Sequence, residues 1–345
     1  MIIIIHHLGN SMNNLFILQP KPNKYNMFEL LHQIDDIRLN FSSGGLLYMN
    51  ITLACIMFGV ALDIRVEQFR NLWYNPKAAF LGIGSQFILL PALTFGLVMI
   101  LNPPPSVAMG MILIAACPGG NISNFISYLA KANVALSVSL TAFATLSATF
   151  LTPLNFAIWG GLYVKYQSAA AALNIPIRID FLEMAKIVFI LLGIPLMAGM
   201  LFALKFPAIT ARIIKPAKII SIFLYMTFIV GALIANMEYI PGYVLPIGII
   251  VFFLNAQTLF TGYLVGTVAG VSKPERRTLS IETGIQNSGL ALVLVFTLFN
   301  ANGGMAFMSA WWGIWQMVTG IGLALILARI PLAGMKPAMV TVKSE

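Results

Sequence analysis

Apolar runs of 18 or more residues recur along this chain between about residues 46 and 328, separated by short polar joints. A helical run of that length spans roughly 30 Å of hydrocarbon at about 1.5 Å per residue. In lipid every backbone N–H and C=O must find its partner inside the protein, which strongly favours helices. The chain therefore reads as an all-α polytopic membrane protein. Nine transmembrane helices are expected, at about 46–64, 78–101, 106–130, 133–160, 182–204, 216–236, 241–269, 275–299 and 304–328.

With 59% hydrophobic and 9% charged residues, a water-soluble domain is excluded. A net charge of +9 would suggest nucleic acid in a soluble protein, but here Lys and Arg fall in the joints between spans. They are a topology signal, and no nucleic-acid partner is expected. The joints after the first, third, fifth and seventh spans, with the C-terminal tail, carry 14 of the 20 Lys and Arg residues. The positive-inside rule then puts the N-terminus outside and the C-terminus in the cytoplasm of a plasma membrane, the inner membrane in a bacterium. Cys55 and Cys117 both lie in apolar spans, giving neither a disulfide framework nor zinc spacing, and read as small core residues.

Residues 1–45 form an N-terminal extension without the features of a signal peptide. Within it, 1–26 are rich in Asn, Lys and His and lack periodicity. They are expected to be disordered or to precede a start at Met27. Residues 28–39 are expected as a short amphipathic helix at the membrane surface. Residues 331–345 read as a cytoplasmic tail.

Two spans are broken. The third carries Pro118, Gly119, Gly120 and Asn121 near its middle, so helix should stop there and resume near Ile122. The eighth breaks at Gly284, with Gly289 close behind. Gly and Pro also kink membrane helices without any functional consequence. Two breaks, each flanked by Asn, Ser, Gln or Glu, point instead to a transporter binding site.

Glu282 sits beside the second break, deep in an apolar stretch. An ionised side chain there costs roughly 2.5–3.5 kcal/mol on insertion scales. No Lys or Arg shares the segment beyond its basic edge at Lys273, Arg276 and Arg277, so a bound cation is the economical partner. A hard cation such as sodium takes oxygen donors. Ser123 and Asn124 follow the first break, and Gln286 lies one turn beyond Glu282. Ser137, Thr141 and Thr145 recur every four residues along one helix face. A Thr in such a helix commonly bonds back to its own carbonyls, which is the expectation for Thr145. Gln86 stands alone in the apolar second span, where an unpartnered amide would be costly. Two sodium ions against the one Glu282 carboxylate would leave one positive charge, which a monoanionic substrate would cancel.

The segments Cys117-Pro-Gly-Gly-Asn-Ile-Ser-Asn124, Asn133-Val-Ala-Leu-Ser-Val-Ser-Leu-Thr141 and Glu282-Thr-Gly-Ile-Gln-Asn-Ser-Gly-Leu-Ala291 resemble the sodium/bile acid symporter family. The likeness runs from about residue 46 to 328. It implies inverted repeats, two broken crossing helices, a core domain (78–160 and 241–328) and a panel domain (46–64 and 182–236) within a transporter domain of 46–330. The implied first sodium site is Ser123, Asn124, Ser137, Thr141 and Glu282. The implied second is Gln86, Glu282, Gln286 and the carbonyls of Thr283 and Ile285. Asn121, Ile122, Asn287 and Ser288 would line the substrate crevice. The family carries organic anions, including bile acids, pantoate and pyruvate-like acids, with two sodium ions as coupling ions and no other cofactor. Membrane lipid is a further partner, and no obligate protein partner is implied. Two departures bear on the substrate: Asn121 replaces a Thr of some bacterial members, and Gln316-Met317 follow Trp315 where some have His-Asn.

Other readings are a metalloid efflux carrier of the same superfamily, using Cys117 as a thiolate, and a proton-coupled antiporter using Glu282. A membrane-embedded enzyme fails on inventory. His6, His7 and His32 all precede the first span, and no Ser/His pair, HExxH or carboxylate pair lies within the membrane. A receptor role would leave the buried Glu282 unexplained.

Overall fold

The computed structural model of the chain describes residues 33–39, 43–167 and 181–330. These are helical nearly throughout, with no strand among the described residues. Helix α1 (Ser43–Ala61) leads into a short α2 (Val66–Tyr74). Helices α3 (Pro76–Gly84) and α4 (Leu90–Leu101) are one rod joined by a wide turn, Ser85–Leu89, and α8 (Phe181–Val188) and α9 (Ile194–Lys205) are joined likewise through Phe189–Gly193. The remaining helices are α5 (Pro105–Ala116), α6 (Ile122–Leu129), α7 (Val134–Tyr166), α10 (Pro207–Ala235), α11 (Ile240–Val268), α12 (Lys273–Gly284), α13 (Ser288–Leu298) and α14 (Gly303–Arg329). Among the described residues, six stretches are long and apolar enough to cross a membrane: Gly44–Ala61, Pro76–Leu101, Val134–Tyr166, Phe181–Lys205, Pro241–Val268 and Gly303–Arg329. Helices α5 and α13 are apolar but shorter, as expected of spans that stop at a break.

Both wide turns have the same cause. Pro91 and Pro195 follow them as the second residue of the resumed helix, where each lacks an N–H and its ring crowds the carbonyl four residues back. The chain relaxes into π winding, with Leu90 N–H donating to the Ser85 carbonyl and Ile194 N–H to that of Phe189. In the first case this turns Ser85 and Gln86 into the core, where both are buried.

Helix α12 is held from several sides. Gly262 and Gly266 on α11 let it approach so closely that a Cβ at Gly262 would collide with the Leu279 carbonyl. Ser280 donates to the Leu259 carbonyl at 2.7 Å and Thr278 to that of Asn133 at 3.0 Å. The buried Arg277 guanidinium donates to the carbonyls of Ala130 and Ile330, both at 2.8 Å, and so caps the C-terminal ends of α6 and α14. Together these contacts tie α12 to α6, α7, α11 and α14, fixing the depth and rotation of Glu282.

Two expectations need correction. Residue 33 is helical, as expected, but 34–39 are not: they fold as a turn that straps the bundle end. Asp35 accepts from Ser106 N–H at 2.8 Å, capping α5, and Gly303 N–H donates to Ile37 O at 2.9 Å. Tertiary pairing there overrides the amphipathic pattern, and 28–32 lie outside the described residues, as do 1–26 and the tail. Cys55 faces outward from α1 rather than into the core, whereas Cys117 is buried.

Candidate functional site

The site begins with backbone that has lost its helix. Helix stops at Ala116 because Pro118, two residues on, has no N–H to give and two glycines follow. It resumes at Ile122. The second interruption lies between Gly284 and Ser288. The two breaks pair with one another. Gly120 N–H donates to Ile285 O at 2.9 Å and Asn287 N–H to Pro118 O at 2.8 Å, an antiparallel bridge centred on Gly119 and Gln286. Groups that would be orphaned in hydrocarbon thus satisfy each other. The approach needs glycine: a Cβ on Gly120 would sit 3.0 Å from the Gln286 carbonyl oxygen.

Glu282, 5% exposed, lies just before the second break. Its Oε1 accepts from Ser123 at 2.6 Å and also from Ser137, and its Oε2 accepts from Thr141 at 2.9 Å. Asn124 Oδ1 lies 2.9 Å from the Ser137 hydroxyl and 3.2 Å from that of Thr141. All five residues expected at the first cation site therefore meet at one point, drawn from α6, α7 and α12. Thr145 does not join them; its hydroxyl donates back to the Thr141 carbonyl at 2.7 Å.

The second expected constellation gathers beside it. Gln86 Nε2 donates to Gln286 Oε1 at 2.7 Å and to the Cys117 carbonyl at 3.1 Å, while Gln286 Nε2 donates to the Thr283 carbonyl at 2.8 Å. The Ile285 carbonyl accepts from Gly120, but a carbonyl has two lone pairs. A Cβ built on Gly119 would lie 3.4 Å from Glu282 Oε2, 3.6 Å from the Glu282 carbonyl and 3.7 Å from that of Ile285. Three oxygens of the second break thus converge on the space that this missing side chain leaves. One carboxylate among neutral oxygens is a donor set for a hard monovalent cation.

A cavity of about 720 Å³ opens beside both constellations. The four residues expected to meet substrate, Asn121, Ile122, Asn287 and Ser288, all line it. They sit at the starts of α6 and α13, whose positive dipole ends face the same space. Asn287 also caps α13, accepting from Leu290 N–H at 3.0 Å. The opposite wall is the apolar face of α1, including Leu53, Ile56 and Val60. The chamber is polar at the breaks, largely apolar along α1, and polar again at Thr52, Asp63 and Gln68. Cys117 is fully buried and is not among its walls.

Sequence reasoning missed Ser85, which pairs with Thr283 at 2.9 Å, and Asn255, whose amide donates to the Gly284 carbonyl at 3.0 Å. The signal that singled out Gln86, a lone polar group in an apolar span, applies equally to Asn255.

Thr141→Val and Ser137→Ala each remove an oxygen donor with little change of volume. Each is expected to raise the sodium concentration for half-maximal stabilisation about tenfold, the equivalent of about 1.4 kcal/mol. Thr145→Val should shift it by less than twofold. Sodium titration by thermal shift at constant ionic strength is the check, and equal sensitivity at Thr145 would misplace the cation on α7.

A profile of the Sodium Bile acid symporter family matches residues 50–243. The chain is 28% identical over 277 residues to YocS, an uncharacterized sodium-dependent transporter of Bacillus subtilis, covering 80% of this chain and 82% of that protein. It is 30% identical over 244 residues to BASS2, a probable chloroplastic sodium/metabolite cotransporter of Oryza sativa subsp. japonica, covering 71% of this chain and 55% of that one. With the ileal sodium/bile acid cotransporter of Oryctolagus cuniculus it shares 26% identity over 253 residues, 73% of this chain and 70% of that protein. It thus spans most of the bacterial relative and little more than half of the plant one. These relatives are named as transporters or cotransporters, not as enzymes.

Proposed function

The chain belongs to the sodium bile acid symporter family, and from that premise we propose that it is a secondary active transporter coupling sodium entry to uptake of an organic anion. The observation that carries this reading is the gathering of Ser123, Ser137 and Thr141 on the buried Glu282 carboxylate, against a cavity that Asn121 and Asn287 line. Two sodium ions would use the two oxygen constellations and share Glu282. The anion would lie with its charge toward the half-helix N-termini and its body along α1.

The polarity of the chamber favours an amphipathic monoanion, a bile acid-like molecule or a small carboxylate such as pantoate with an apolar portion. That agrees in kind with the names of the rabbit and rice relatives. In the proposed arrangement α5–α6 and α12–α13 each form one broken crossing and α10 one more, giving nine with the six uninterrupted stretches. The two crossings meet inside a core related by inverted repeats, and α1 and α8–α10 form the panel. The chamber lies between α1 and the breaks, where panel and core would move apart. The N-terminus would lie outside the plasma membrane and the C-terminus in the cytoplasm. A metalloid carrier would need Cys117 on the cavity wall, and a proton antiporter would leave the oxygens of Asn124, Gln86 and Gln286 without a task.

Purified protein is screened by thermal shift with small organic anions, in sodium and in choline. An anion that stabilises only in sodium is expected, because a ligand stabilises in proportion to its binding to the native state. Anions that stabilise equally in choline would defeat the symport reading.

A further inference from the structure

Gln316 entered the sequence reading only as a departure near the substrate crevice, yet in the structure it grips the main chain of the second break. Gln286 N–H donates to Gln316 Oε1 at 2.8 Å, and the Gln286 carbonyl accepts from Gln316 Nε2 at 3.0 Å. One primary amide thus takes both backbone groups of a single residue, as a neighbouring strand would. The segment around Gln286 is paired with Gly119 on its other side. It becomes the middle row of a three-row ladder whose third row is a side chain.

A second grip lies two residues earlier. The Gly284 carbonyl accepts from Asn255 Nδ2 at 3.0 Å, and Asn255 Oδ1 accepts from Thr319 at 2.5 Å. Thr319 follows Gln316 by one turn of α14, so both grips lead back to the same helix face. Gln316 is 4% exposed and Asn255 fully buried. A buried amide is costly unless its donors and acceptors are met, and here backbone at the break meets them. The oxygens assigned above to the second cation, the Thr283 and Ile285 carbonyls and the Gln286 side chain, lie in or next to the gripped residues.

We propose that Gln316, supported by Asn255 and Thr319, is a positioning residue that sets the affinity of the second sodium site. It touches no ion. It fixes the main chain of Gln286, so that the Gln286 side chain and the neighbouring carbonyls are held where sodium needs them. Without it each ion would first have to order the break, and that ordering would be subtracted from its binding. The inference rests on the sodium reading given above.

The test is sodium titration of the purified full chain by thermal shift, with choline holding ionic strength constant. Gln316→Met keeps volume and apolar packing while removing both hydrogen bonds. Its half-saturating sodium is expected to rise about tenfold, with a shallower titration as one ion binds well ahead of the other. Thr319→Val, a milder change that leaves Gln316 in place, should raise it about threefold and decides the matter if Gln316→Met does not fold. A lower melting temperature in choline with half-saturating sodium within twofold of wild type would show a merely structural amide and overturn the proposal. Absence of any sodium-specific stabilisation in the wild-type protein would instead defeat the sodium reading, and the inference with it.

Discussion

Glu282→Gln is expected to abolish sodium-driven uptake, lowering the rate at least a hundredfold while the protein stays folded and inserted. The carboxylate is the acceptor for Ser123, Ser137 and Thr141, and under the proposed function it is shared by both ions. Gln keeps one oxygen where Ser123 and Ser137 converge. Its amide group would face Thr141, which already has a second acceptor in the Ser137 carbonyl at 3.0 Å and can accept from the new N–H. The fold therefore loses little. The ions lose the only formal negative charge in the cluster. Two weakened ion contacts at about 1.4 kcal/mol each give about a hundredfold. Uptake into proteoliposomes under a sodium gradient is the measurement, with thermal shift in choline to verify folding. A variant retaining more than about a tenth of the wild-type rate would show that the two sites do not share this carboxylate.

The breaks were legible because Pro118, Gly119 and Gly120 in one span, and Gly284 in another, conflict with local helix geometry whatever surrounds them. Their consequence was not. That Gly120 pairs with Ile285 and Pro118 with Asn287 depends on two segments far apart in the chain meeting in the fold, and no local pattern carries that. The hydroxyl face of α7 shows the same limit. Spacing of four puts Ser137, Thr141 and Thr145 in line, but the position of α12 decides that two of them reach Glu282 while the third bonds to its own helix.

Where polar groups serve the main chain rather than a ligand, the sequence reading was weakest. Asn255 and Gln316 look like any intramembrane amide until the freed backbone of the second break is beside them. The strap at 34–39 failed for a related reason. Its Asp and Arg residues give a plausible amphipathic pattern, while the deciding contacts, to Ser106 and Gly303, come from helices far along the chain. The wide turn at Gln86 lay between these cases. Pro91 marks a disturbed turn, but only the packed core shows that the disturbance turns Gln86 toward Gln286.

Asn287→Asp should separate the anion from the ions. Asn287 Oδ1 caps α13 through Leu290 N–H, and its own N–H bonds to Pro118 O, so both contacts hold the break in shape. Asp caps a helix about as well as Asn, whereas Ala would forfeit about 1 kcal/mol of cap stability and blur the result. The change is therefore confined to one end of the side chain, where an amide donor lining the cavity becomes a carboxylate oxygen. A substrate carboxylate at about 4 Å would be repelled by roughly 4 kcal/mol at an effective dielectric of about 20. If bound sodium screens half of this, about 2 kcal/mol remains, which is close to thirtyfold in affinity. Loss of the amide donor adds to it. Sodium alone should still stabilise the variant, with half-saturation no higher than in wild type, because Asn287 belongs to neither oxygen constellation and an added carboxylate attracts a cation. Sodium is titrated first by thermal shift, then the anion by calorimetry at saturating sodium. Lost sodium stabilisation with anion affinity intact would reverse the assignment and make Asn287 part of the ion site.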